Sequence, residues 1–128
     1  AMDFSKPKKI FVVDDDTMLT EALKDYLTRK TPHQVFTFNT GEECLRHLSE
    51  GPAIIILDFH LNSVQKDAAN GMEILQVIKK HYPATHVIML SSQEKYSLAL
   101  QTIQKGAVQY VVKDENAFEK IATMIAEL

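Results

Sequence analysis

Four short apolar runs, each closing on a charged or hydroxyl residue, constrain this chain more than any other feature. They read IFVVDDD (Ile10 to Asp16), AIIILD (Ala53 to Asp58), HVIMLSS (His86 to Ser92) and QYVVKD (Gln109 to Asp114). A short run rich in Val and Ile and apolar on both faces reads as a strand buried in a parallel sheet. In an open parallel sheet covered by helices, ligands bind beyond the carboxyl ends of the strands. The pattern therefore predicts that Asp14, Asp15, Asp16, Asp58, Ser91 and Lys113 gather at one edge of one sheet. Several carboxylates, one hydroxyl and one ammonium suit a site for a metal and a phosphate.

Helical patterns separate the strands. Asp16 or Thr17 can cap a first helix reaching about Arg29, with Met18, Leu19, Ala22, Leu23, Tyr26 and Leu27 as its apolar stripe. Thr31-Pro32 ends it, because the residue before proline avoids the helical conformation. His33 to Phe38 reads as a further strand. Thr40-Gly41 opens a second helix, with Cys44, Leu45 and Leu48 inward, and Gly51-Pro52 closes it. Residues 59–70, FHLNSVQKDAAN, show no periodicity and read as an unusually long loop, where about 2–6 residues is common. Asn70-Gly71 starts a third helix that ends at Tyr82-Pro83, with Met72, Ile74, Leu75, Val77 and Ile78 available for packing. A fourth helix runs from about Lys95 to Lys105 and stops at Gly106, a left-handed cap. A fifth spans about Asn116 to Glu127. Alternating strands and helices of this kind imply an α/β fold, a (βα)5 doubly wound parallel sheet.

The 128 residues fit one domain, and 45% hydrophobic against 24% charged residues is ordinary for a globular protein. A net charge of -3 gives no basic footprint for direct binding of nucleic acid. The single cysteine, Cys44, excludes an internal disulfide and agrees with a reducing, cytoplasmic setting; its place in a helical pattern suggests a buried, inert thiol. No apolar stretch is long enough to cross a membrane, and no leader precedes the first strand. Ala1 before Met2 reads as a tag scar. Residues 1–7 are expected to be scar and tail, and 8–128 a single domain.

Mg²⁺ takes oxygen ligands, commonly one or two carboxylates plus water and phosphate oxygens. Asp14, Asp15 and Asp58 can supply such ligands from neighbouring strand ends. A carboxylate can also be a nucleophile toward phosphorus, and the transferred group then needs positive charge around its oxygens. Lys113 can supply that charge and Ser91 a hydrogen bond.

These residues, in this order on these elements, resemble the receiver domain of response regulators in two-component signalling, over essentially all of 8–128. The resemblance implies a five-stranded flavodoxin-like sheet of order 2-1-3-4-5. It implies Asp58 as phosphoacceptor, and Asp14, Asp15, Asp58 and the backbone carbonyl of His60 around Mg²⁺ or Mn²⁺. It assigns Ser91 (with Ser92 its small neighbour) and Lys113 to the phosphoryl group and Tyr110 to a rotameric switch. The His60 and Gln93 side chains would tune hydrolysis. A histidine kinase or phosphotransfer protein would donate the phosphoryl group. The surface of the fourth helix, fifth strand and fifth helix would change, and it can carry a homodimer, an effector or an output domain. Such a domain is not an enzyme beyond self-catalysed phosphoryl transfer and loss.

Two departures stand out. The family usually has proline where Asn62 stands, and its glycine follows the acceptor sooner than Gly71 does. It also usually follows its lysine with a cis proline, whereas Asp114 follows Lys113. A cis bond without proline costs about 2.5–4 kcal/mol, so this bond is expected to be trans or else strained. DDDTML also resembles the DxDxT opening of haloacid-dehalogenase-type phosphatases, with Asp14 as nucleophile and Asp16 as acid/base, although that reading leaves Asp58 without a role. A third alternative is a pseudo-receiver that binds partners without phosphorylation.

Overall fold

The computed structural model describes residues 6–62 and 67–128; residues 1–5 of the expected tail and 63–66 of the expected long loop lie outside the described residues. Five strands form one sheet: β1 (Lys9–Val13), β2 (Gln34–Phe38), β3 (Ile54–Asp58), β4 (His86–Ser91) and β5 (Gln109–Val112). All neighbouring pairs are parallel and the order is β2-β1-β3-β4-β5. Five helices connect and follow them: α1 (Thr17–Lys30), α2 (Gly41–Arg46), α3 (Gly71–His81), α4 (Tyr96–Gln104) and α5 (Ala117–Glu127). The α/β class and the 2-1-3-4-5 order agree with the sequence reading.

The apolar runs are buried on both faces because the sheet separates two cores. Ile10, Val12, Ile54, Ile56, Ile88, Leu90 and Val111 pack under α1 and α5 with Leu23, Leu27, Ile121 and Ile125. Phe11, Val13, Ile55, Leu57, Val87 and Met89 point the other way, onto Cys44, Ile74, Leu75 and Ile78. Alternate residues of each run thus serve opposite cores, which is why the runs show no polar alternation.

The helix ends follow local chemistry. Asp16 caps α1, its carboxylate accepting from the amides of Met18 and Leu19. Asn70 and Glu73 form a reciprocal capping box on α3. At the end of α4, Gly106 at φ 111° lets its own amide bond Ile103 and the Ala107 amide reach back to Thr102, a Schellman arrangement.

Three helical details differ from the sequence reading. Met18 and Ala22 leave the expected stripe of α1; Met18 is 83% exposed, because the helical turn puts it on the far side of α1 from the buried Thr20, Leu23 and Leu27, with Ala22 beside it. Thr20 is buried instead and bonds the Thr17 carbonyl through its hydroxyl. The second helix stops at Arg46 and continues as a 3-10 turn, Leu48–Glu50, which still buries Leu48. Val77 sits on the flank of α3, outside the buried stripe of Gly71, Ile74, Leu75 and Ile78.

The described parts of residues 59–70 hold no helix or strand, as expected of a loop. The excursion closes on itself, since the Gly71 amide donates to the Phe59 carbonyl at 2.9 Å. Each doubling of loop length adds only about 0.6 kcal/mol of closure entropy, so the long connection is cheap once its base is fixed. That base demands glycine: a Cβ on Gly71 would collide with the Asp58 carbonyl oxygen and lie 2.7 Å from Phe59 Cα. Because the obstacles are backbone, Gly71→Ala is expected to cost about 1–3 kcal/mol, the range for overpacking. Denaturant unfolding measures this, and an unchanged midpoint would show that β3 and α3 separate freely.

Candidate functional site

The sheet register brings the charged strand ends together. Val13 pairs with Leu57, so Asp14 and Asp58 leave neighbouring strands at the same level. Both continue the alternation of Val12 and Ile56 and so share the face of α1 and α5. Lys113 has the same parity as Val111 and follows β5 directly, its amide donating to the Ser91 carbonyl at 2.8 Å. Ser91 and Tyr110 have the opposite parity and lie on the face of Met89. The charged groups and the hydroxyl residues therefore reach the same edge from the two sides of the sheet.

Lys113 Nζ lies 2.9 Å from Asp14 Oδ2 and 3.1 Å from Asp58 Oδ1, one ammonium between two buried carboxylates. Asp14 is 1% exposed and Asp58 2%. Asp15 is half-buried, and one carboxylate oxygen from each of Asp14, Asp15 and Asp58 lies within 4.8 Å of the others. Octahedral Mg²⁺ holds oxygens at about 2.1 Å, which puts ligand oxygens about 3–4.2 Å apart. The cluster fits such an ion. Asp14 Oδ2 and Asp58 Oδ1 support this too: both are fully buried and, among the described residues, meet only the ammonium without an aligned hydrogen bond. A cation would give them the charge that one lysine shares between two.

Burial pushes the Asp58 carboxyl up from 3.8 to about 7, and the charge of Asp14 pushes the same way; the Lys113 ammonium and the His60 amide pull it down. For Lys113, burial works against the charged form, but the close contact with Asp14 and the charges of both carboxylates outweigh it and hold the ammonium above its usual value. Backbone contacts fix the acidic pair. Asn39, just beyond β2, donates its side-chain amide to the Asp14 carbonyl at 2.9 Å, and Asp14 Oδ1 accepts from the Asp16 amide at 2.9 Å.

Ser91 is fully buried and its hydroxyl accepts from the Gln93 amide at 3.1 Å. Ser92 is exposed. Tyr110 is half-buried and donates its hydroxyl to the Gln93 carbonyl at 2.6 Å. The side chains of Gln93 and His60 meet at 3.2 Å. The four remaining histidines lie apart from the carboxylate cluster; His47, for instance, pairs with Glu50 at 2.6 Å. Burial pushes the Cys44 thiol up to about 12, so it is the inert core cysteine expected.

Asp16 stands outside the cluster: exposed, with its carboxylate committed to capping α1. The Asp14/Asp16 pair that a dehalogenase-type phosphatase needs is therefore not assembled. No peptide bond is cis among the described residues, so Lys113–Asp114 is trans, and Asp114 folds back with its amide on the Val112 carbonyl at 2.8 Å. Sequence reasoning missed Asn39, whose only signal is its place after the strand beside β1. It also read Gly71 merely as a helix start.

The comparisons with known proteins agree with one another. The family model of the response regulator receiver domain matches residues 10–126. The chain is 30% identical over 123 residues to a protein-glutamate methylesterase/protein-glutamine glutaminase of Archaeoglobus fulgidus, covering 94% of this chain and 34% of that protein. It is 33% identical over 111 residues to a probable C4-dicarboxylate response regulator, DctR, of Bacillus subtilis, covering 84% and 46%. The chain thus spans less than half the length of either relative. Among solved structures, the BeF3-activated receiver domain of DrrB, a Thermotoga maritima protein, superposes with a TM-score of 0.83 at 30% identity, covering 95% of this chain and 97% of that one.

The Asp58 carboxyl generates a pH prediction. The folded state binds a proton there that the unfolded state does not, between pH 3.8 and about 7. Stability from this group is therefore complete below pH 3.8 and lost as pH rises through about 7. In metal-free buffer, Asp58→Asn should be more stable than the parent at pH 8 by at least about 1 kcal/mol, or about 3–6 °C in Tm for a domain of this size. The gain should vanish by pH 4. Equal melting temperatures at pH 8 would show that Lys113 already compensates the charge in full.

Proposed function

We propose that this chain, which belongs to the response regulator receiver domain family, accepts a phosphoryl group on Asp58 and signals through the surface of α4, β5 and α5. The observation that carries the reading is the buried Asp58 carboxylate, 3.1 Å from Lys113 and gathered with Asp14 and Asp15 at the sheet edge. The donor is a histidine kinase or phosphotransfer protein. An Asp58 oxygen bonds phosphorus while the donor's bond to phosphorus breaks, its electron pair staying with the donor.

Each neighbour takes a separate task. Asp14, Asp15, Asp58 and the His60 carbonyl hold Mg²⁺ or Mn²⁺, which when bound neutralises charge on the carboxylates and the phosphoryl oxygens. Lys113 is freed from sharing two carboxylates and pairs with a phosphoryl oxygen. Ser91 donates its hydroxyl to another, and Tyr110 follows as the switch. The His60 and Gln93 side chains stand where hydrolysis is tuned. The added charge is the local event and α4 the element it biases.

The receiving surface is apolar where a partner would sit. Tyr96, Leu100 and Ile103 on α4 are exposed at 83%, 44% and 43%. A second copy of the domain, an effector or an output domain can use this face. Residues 8–128 form the signalling unit without a turnover activity of their own.

Intact-mass spectrometry after incubation with a small-molecule acyl-phosphate donor and Mg²⁺ tests the assignment. The parent should gain one phosphoryl group, and Asp58→Ala or excess chelator should prevent it. Robust labelling of Asp58→Ala at the same site would overturn the reading. Absence of any Mg²⁺-dependent acyl phosphate on the parent would favour a phosphorylation-independent binding module.

A further inference from the structure

Resting on the metal site of that reading, we infer that Asn39 is a positioning residue for the acidic pair, and that it sets how well the site tells Mg²⁺ from Ca²⁺. Asn39 follows β2 and is half-buried, and its side-chain nitrogen donates to the Asp14 carbonyl at 2.9 Å. This bond reaches the backbone of Asp14 rather than a carboxylate.

The bond completes a ladder that the backbone leaves unfinished. At one end of the β1–β2 pair the Gln34 amide donates to the Lys8 carbonyl at 2.9 Å, and at the other the Asp14 amide donates to the Phe38 carbonyl at 3.1 Å. In a continued parallel ladder the next rung would run from the Thr40 amide to the Asp14 carbonyl. β2 ends at Phe38, however, and Thr40 caps α2 with its hydroxyl. Asn39 Nδ2 makes the rung instead. Only the nitrogen end of the side-chain amide can donate to a carbonyl, so Asn39 has one usable orientation there.

Asp14 is thereby held through its backbone and one carboxylate oxygen. Its amide bonds Phe38, its carbonyl bonds Asn39, and its Oδ1 accepts from the Asp16 amide at 2.9 Å. Oδ2 is left to face the cluster, 2.9 Å from Lys113 Nζ. The Asp14 carbonyl shares one rigid peptide plane with the Asp15 amide. Fixing that plane fixes the direction in which Asp15 leaves the strand end, and keeps one of its carboxylate oxygens within 4.8 Å of those of Asp14 and Asp58. Without the rung the plane turns, and Asp15 swings relative to two acids that buried runs hold still. Groups that hold metal ligands from behind tune affinity without touching the ion. Mg²⁺ demands near-ideal octahedral geometry, whereas Ca²⁺ accepts about six to eight oxygens in flexible arrangements. A displaced Asp15 oxygen therefore penalises Mg²⁺ more than Ca²⁺.

NMR titration of the unphosphorylated chain with MgCl₂ and with CaCl₂ tests this on the parent, Asn39→Ala, Asn39→Leu and Glu42→Ala. Asn39→Leu keeps the bulk of the side chain and removes the donor. Glu42→Ala loosens the same β2–α2 segment, by losing the Ala69 amide that Glu42 accepts at 3.0 Å, without touching Asp14. Both Asn39 variants should bind Mg²⁺ about three- to tenfold more weakly, the span of one neutral hydrogen bond, and Ca²⁺ no more than about twofold more weakly. Glu42→Ala should keep the parent ratio of the two affinities. The Asp14 carbonyl carbon resonance should shift in both Asn39 variants and stay in place in Glu42→Ala. Unchanged Mg²⁺ affinity in Asn39→Leu, equal losses for the two ions, or the same loss of selectivity in Glu42→Ala would overturn the inference while leaving the metal site standing. No Mg²⁺ binding by the parent would overturn the metal site itself, and the inference with it.

Discussion

One buried ammonium shared by two buried carboxylates governs the site. Lys113 reaches Asp14 and Asp58 at about equal distances, and Asp15 adds a third acid to the same few ångströms. Such a group cannot be at rest. Burial disfavours the charged forms of Asp58 and Lys113, and one ammonium is divided between two buried carboxylates. The upward push on Asp58 and the upward hold on Lys113 are two expressions of this imbalance. The structure tolerates it because the carboxylates sit at the ends of buried runs, Ile10 to Val13 and Ile54 to Leu57, so the backbone does not move to relieve them. Strain of this kind makes a cation, or a phosphoryl group brought with one, a stabilising guest.

The geometry depends on the close approach of α3 to the end of β3. Gly71 lets the start of the helix rest on the backbone of Asp58 and Phe59, and the Asn70–Glu73 capping box holds the helix there. The loop length before Gly71 is then a separate matter, because the two ends already meet. A strap from the Ala69 amide to Glu42 on α2, 3.0 Å long, ties the returning loop to the neighbouring helix. A family pattern that places its glycine sooner can therefore tolerate a longer excursion without disturbing Asp58.

The fold was legible because burial on both faces leaves a plain trace. Ile54 to Leu57 are wholly buried, two on each side of the sheet, and only a central parallel strand asks for that. The strand-end residues followed from the topology, since parallel strands discharge their carboxyl ends at one edge. What stayed illegible depends on distances between elements. Met18 is apolar and one turn before Ala22, yet the line of α1 that meets the sheet runs through Thr20, Leu23 and Leu27 on the other side. Asn39 supports Asp14 only because β2 lies beside β1. Asp16 was ambiguous between ligand and cap, and the choice turns on its carboxylate pointing at the α1 amides. Gln93 was named by the resemblance, but that its amide, carbonyl and side chain meet Ser91, Tyr110 and His60 is legible only in the structure.

The same logic explains why a small event at the sheet edge can reach the surface. Among the helices of the described chain, α4 is the most weakly seated, with Thr102 its single buried residue and no side-chain cap at its start. Three large apolar side chains on it face solvent rather than core. An element with few buried contacts sits at the low end of local stability, where opening costs little. A tenfold change in a two-state population needs only about 1.4 kcal/mol of differential interaction. One or two hydrogen bonds gained or lost at Ser91, Gln93 and Tyr110 supply an amount of that order. In the switch proposed above, the tightly buried edge of the sheet would make the charge change consequential, and the loosely held α4 would make it visible outside. Stiffness at Asp58 and slack at α4 are thus complementary requirements of one device.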